Sequence, residues 1–81
     1  MANLPITLAR LRAEAGLSFE QLAGRAGMDV AHVFNMEKGT SRGSRNAILR
    51  LCLALQLDVD AADELLTAAG HLPTSLHYKP I

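Results

Sequence analysis

The 81-residue chain contains no tryptophan, one tyrosine, two phenylalanines and one cysteine. A core built on stacked aromatic rings is excluded, and so is any disulfide within the chain. A lone thiol suits a cytoplasmic protein. Charge of neither sign dominates, since eight Lys and Arg stand against eight Asp and Glu; the chain is not an overall polycation. No apolar run is long enough for a bilayer. The longest, around "AILRLCLAL", is interrupted by Arg50 and falls well short of the ~20 residues a spanning helix requires. No signal peptide, internal repeat or low-complexity segment is visible. Proline occurs only at positions 5, 73 and 80, so nothing breaks a helix in the middle of the chain.

Aliphatic side chains are abundant instead. Hydrophobic residues make up 49%, too many for a disordered chain, and most are Leu and Ala, strong helix formers. The composition predicts one all-α domain. Its small size buries little surface, which favours a second subunit.

Five helices follow from periodicity and end signals. The first runs from about Leu4 to Ala15, with Leu4, Leu8, Leu11 and Ala15 on one face, Pro5 in its first turn and Gly16 at its end. The second starts at Phe19 after a Ser18 cap, with Gln21 completing a capping box and Leu17 stapling to Leu22; Gly27 stops it. "MDVAHVFNMEKG" is the third, capped by Asp29, stapled from Met28 to Val33 and stopped by Gly39. The fourth follows Ser44 to about Leu55, with Ile48, Leu51, Cys52 and Leu55 inward. The fifth runs from near Asp60 to Gly70. Residues 4–70 are expected to form the domain, and 71–81 a C-terminal tail.

Charge is unevenly placed. Residues 1–50 carry seven cationic side chains against four acidic ones, a net of +3, and residues 51–81 carry one against four, a net of −3. Such a chain can turn one face to a polyanion. Only Gly27, Met28 and Asp29 separate the second helix from the third, which forces a sharp crossing, the helix-turn-helix. Ala23 is small where the third helix passes over, Gly27 can take positive φ, and Val33 and Met36 point back into the core.

"LRAEAGLSFEQLAGRAGMDVAHVFNMEKG", continued by "NAILRLCLALQLDVDAADELL", resembles the helix-turn-helix of the lambda-repressor-like group, the Cro or XRE family. The resemblance covers roughly residues 6–70. It implies a compact five-helix DNA-binding domain that acts as a dimeric transcription regulator without a cofactor. It also implies a buried ion pair between Arg12 and Glu37, a DNA-backbone contact at Ser18, and base contacts from the outward residues of the third helix: Val30, Ala31, Phe34 and Asn35, with His32 nearer the backbone. That helix has no Arg, Lys or Gln between Val30 and Glu37. Asn35 alone can make the two-point contact that suits adenine, while Val30, Ala31 and Phe34 suit thymine methyl groups. Two positions depart from the family pattern. Phe19 stands where Gln is common, and Gly43 where Pro is common, which predicts a more mobile loop.

Affinity is then expected from "KGTSRGSR": Lys38, Arg42 and Arg45, with Thr40, Ser41 and Ser44 as neutral donors, beside the N-terminus of the fourth helix. Arg42 or Arg45 could also read a narrow minor groove. A second apolar stripe, Leu49 and Leu53, with Leu65, Leu66 and Leu72 nearby, is the expected dimer interface. Cys52 is expected to be a core thiol and His32 a polar surface residue. His71 and His77 do not make a zinc site with it, so no metal is expected. No nucleophile arrangement or nucleotide loop occurs, which argues against an enzyme. The sequence thus predicts a homodimeric regulator of a two-fold related operator, from a bacterium, a phage or a mobile element. Two alternatives are an antitoxin whose 71–81 tail binds a protein partner, and a protein-docking domain presenting Val30 and Phe34.

Overall fold

The computed structural model describes residues 3–73. The expectations for His77, Lys79 and Pro80, and for the tail beyond Pro73, lie outside the described residues. Among the described residues the fold is all-helical: α1 (Leu4–Glu14), α2 (Phe19–Ala26), α3 (Val30–Lys38), α4 (Arg45–Ala54) and α5 (Val59–Ala68). α3 packs on α1 and α2, α4 on α2 and α5, and α5 returns to α1. The five helices therefore close around one core.

Local rules account for most helix ends. Asn3 accepts from the Ile6 amide to start α1 at 3.1 Å. Ser18 and Gln21 form the reciprocal capping box, with bonds of 3.1 and 2.9 Å. Ser44 and Asp58 cap α4 and α5 with bonds of 3.1 and 2.8 Å. α5 thus begins one residue earlier than its expected start at Asp60. Asp29 holds the cap position of α3, but its side chain makes no cap hydrogen bond. The turn relies on backbone geometry instead: Gly27 is left-handed at φ +68°, and the Met28 amide donates to the Ala23 carbonyl at 3.0 Å.

The core confirms the periodic faces. Leu8, Leu22, Val33, Met36, Ile48 and Leu51 are fully buried, and Ala23 is buried beneath the crossing. Two expectations are overturned. Ala15 is exposed, because α1 ends at Glu14 and leaves it as the cap. Leu65 and Leu66, expected at a dimer interface, are both 0% exposed. They point into the core of the same chain, where α5 meets α1 and α4. Cys52 is buried, and that burial, aided by the Asp63 charge, pushes its thiol up to about 11. No helix of the described residues is long and apolar enough to cross a membrane.

Candidate nucleic-acid interface

α3 divides its residues by face. Val33 and Met36 are buried, while Val30, Ala31, Phe34, Asn35 and Lys38 are exposed. Phe34 is 43% exposed and Val30 40%, so the open face of α3 carries two large apolar side chains. The structure brings these expected base-reading residues together on one helical surface. His32 is half-buried beside them and lines a polar groove with Ser44, Asn46 and Arg50 at the start of α4.

Arg12 joins three elements behind this surface. Its Nε and Nη2 donate to the two carboxylate oxygens of Glu37 at 2.5 and 3.1 Å, a bidentate geometry. Its Nη1 donates to the Leu17 carbonyl at 2.8 Å. Side-chain exposure is 20% for Arg12 and 8% for Glu37, so the pair is shielded. The hydrogen bonds to Glu37 raise the guanidinium above its ordinary pKa against the opposing effect of burial. The same guanidinium lies 4.2 Å from the centroid of the Phe19 ring.

Phe19 meets Phe34 in turn, with ring centroids 5.5 Å apart and planes at 77°. The Lys38 ammonium lies 5.2 Å from the Phe34 centroid. Sequence reasoning marked Phe19 only as a departure from a family pattern. A signal was present: the chain has two phenylalanines, one at the start of each helix-turn-helix element or one turn beyond it. Asn46 and Arg50 were also missed. They lie four apart on α4 after the Ser44 cap, and Arg50 Nη1 donates to the Gly27 carbonyl at 3.3 Å, bracing the turn.

The basic loop is ordered by contacts at both ends. Thr40 Oγ1 donates to the Asn35 carbonyl at 3.2 Å, so its proton is committed to closing α3 rather than spare. Ser18 uses its hydroxyl oxygen as the cap acceptor, which leaves its proton available outward. Ser41 is half-buried and Arg42 exposed, with the Arg42 guanidinium against Gly70 at the end of α5. Arg45 is half-buried and donates to the Leu72 carbonyl. A ring nitrogen of His71 lies 3.0 Å from the Gly43 carbonyl. Gly43 itself has φ +78°, and a Cβ there would sit 2.7 Å from Met36 Sδ. The glycine thus answers a steric demand that proline, fixed at negative φ, cannot meet.

On another side, Leu53 is 80% exposed and Val59 62%. They line an apolar groove between α4 and α5 with Leu49, Cys52, Leu57 and Ala62. Leu72 is also exposed, at 59%. Not all front-half cations remain open. Arg10 donates to Glu64 at 2.7 Å and to Glu14 at 3.3 Å, which ties α1 to α5.

Searches of curated proteins and of solved structures return no significant match. A family description, "Helix-turn-helix domain", matches residues 4–65, from the start of α1 into α5. The chain therefore belongs to the helix-turn-helix domain family, of the Cro/XRE-like type.

Proposed function

We propose that the chain is a sequence-specific, DNA-binding transcription regulator that grips a two-fold related operator as a homodimer. The observation that carries this reading is the surface of α3. Val30, Ala31, Phe34 and Asn35 are outward together, followed by Arg42 in the next loop and Arg45 in the first turn of α4. Asn35 is assigned to an adenine edge, and Val30, Ala31 and Phe34 to thymine methyl groups. Lys38, Arg42, Arg45, Ser18, Ser41 and His32 are assigned to phosphates; the Thr40 and Ser41 amides are not, because both donate to the Asn35 carbonyl. The second copy is assigned to the α4–α5 groove, where Leu53 and Val59 are exposed and Leu49 lines the wall; Leu72, expected with them, is exposed but its carbonyl lies on Arg45 at the other end of α4. A dimer doubles the contact surface and matches a palindromic site.

Selection of bound duplexes from a random DNA pool tests the reading. The expected product is a palindrome with thymine-containing half-sites. No enriched motif would refute DNA reading and favour protein docking through Phe34 and Val30. Sedimentation tests the symmetry: the unmodified chain is a dimer at micromolar concentration, and Leu53→Asp is a monomer with intact helicity. A wild-type monomer, both free and on DNA, would refute the dimer.

A further inference from the structure

We infer that Phe19, which lies outside the expected base-reading set, is a specificity-determining positioning residue: it sets where the Phe34 ring stands on the reading surface. The inference rests on the proposal that α3 reads DNA. Its basis is a circuit of contacts that leaves α3 and returns to it. Glu37 on α3 takes two hydrogen bonds from Arg12 on α1. Arg12 covers the Phe19 ring on α2 at 4.2 Å. Phe19 meets Phe34 on α3 at 5.5 Å and 77°, the edge-type arrangement favoured by ring quadrupoles. Lys38, one turn on, closes over Phe34 at 5.2 Å.

Each link restricts the next. Phe19 is half-buried and packs against the core, so its ring is fixed from below and by the guanidinium. Phe34 is held by a fixed neighbour through one contact and by a flexible ammonium through the other. It is on the surface, where an unsupported phenylalanine would sample several rotamers. An apolar wedge without hydrogen bonds discriminates only by where its surface lies relative to a methyl group. Its rotamer is therefore its specificity, and Phe19 is the group that limits the rotamer. Asn35, Arg42 and Arg45 stand outside this circuit, and Lys38 keeps its charge whatever residue stands at position 19, so a change at Phe19 leaves the number of phosphate-binding charges unaltered.

The test uses the full chain and the duplex that the unmodified protein enriches from a random pool. Phe19→Leu keeps an apolar side chain on the core but removes the ring edge. An edge-to-face pair supports an effect of about 2- to 12-fold, so the ratio of selected-duplex to random-duplex affinity should fall by about that factor. The salt slope should stay unchanged, and Phe19→Tyr should restore the ratio. Phe34→Leu should lose little further in the Phe19→Leu background. A second measurement needs no variant: nuclear Overhauser contacts between the Phe19 and Phe34 rings should persist when the unmodified protein binds its duplex. Equal losses on selected and random DNA, an unchanged ratio in folded Phe19→Leu, additive effects of the two substitutions, or loss of the ring contacts on binding would each overturn the assignment while DNA reading stands. Equal binding of all duplexes by the unmodified protein would overturn both.

Discussion

Glu37→Ala removes the carboxylate that receives two hydrogen bonds from Arg12. The loss can be bounded from the geometry. Exposed ion pairs contribute about 0.2–1 kcal/mol, and removing one partner of a fully buried pair costs about 3–5 kcal/mol because a charge is stranded. Here the carboxylate is the more buried partner, at 8%, and the guanidinium keeps 20% of its side-chain surface in water. The stranded Arg12 also keeps its bond to the Leu17 carbonyl and its place over Phe19. Those residual contacts bring the expected loss to about 2–3 kcal/mol, between the exposed range and the lower bound of the buried one. For a domain of this size that lowers Tm by about 10–20 °C. Denaturant titration of Glu37→Ala, Arg12→Met and the double variant measures it. The double variant should be more stable than Glu37→Ala alone, since no charge is then stranded. A Glu37→Ala loss well below about 1 kcal/mol, or simple additivity in the cycle, would refute the shielded-pair argument.

Gly43→Ala should destabilise by about 1–3 kcal/mol from positive φ alone, and overpacking against the fully buried Met36 adds to it; a melting point within a degree or two of the parent would refute this. Arg45→Ala should weaken selected and random DNA by similar factors and flatten the salt dependence by about one unit of slope. A changed sequence preference at constant slope would instead make Arg45 a reader of groove shape. Cys52, held at about 11 against an ordinary 9.0, makes stability fall as pH rises from 9 toward 11, because the unfolded thiol ionises first. Unfolding titrations of the parent and Cys52→Ala across that window should diverge, and parallel curves would count against it.

The fold was legible because its signals are local. Leu4, Leu8 and Leu11 mark a face by spacing, and Ser18, Ser44, Gly27 and Gly39 mark ends by chemistry that acts within a few residues. Asp29 shows the limit of that reasoning: the residue type suits a cap, yet its side chain makes no cap bond. Leu65 and Leu66 were misassigned because spacing shows that a stripe is apolar, not which neighbour covers it. Whether α5 faced its own core or a partner depended on the return of α5 to α1, a through-space fact. The pairing of Arg12 with Glu37 came from resemblance rather than from residue spacing. The Phe19–Phe34, Arg50–Gly27 and Arg45–Leu72 contacts cross 15, 23 and 27 positions of chain, and no periodicity reports such separations.

The loop after α3 carries a thermodynamic consequence. Ordering a free backbone costs about 1–2 kcal/mol per residue. In this chain Thr40 is bonded to α3, Gly43 sits where a Cβ would collide with Met36, and Arg45 and the Gly43 carbonyl are held by Leu72 and His71. The entropy of residues 40–45 is thus surrendered during folding, and any partner of this segment would meet it already preorganised. The spacing of its guanidinium groups is dictated by the end of α5. Removing the His71 imidazole therefore loosens the Gly43 end of the loop, whereas the Arg45 bond goes to the Leu72 backbone and survives a change of side chain there.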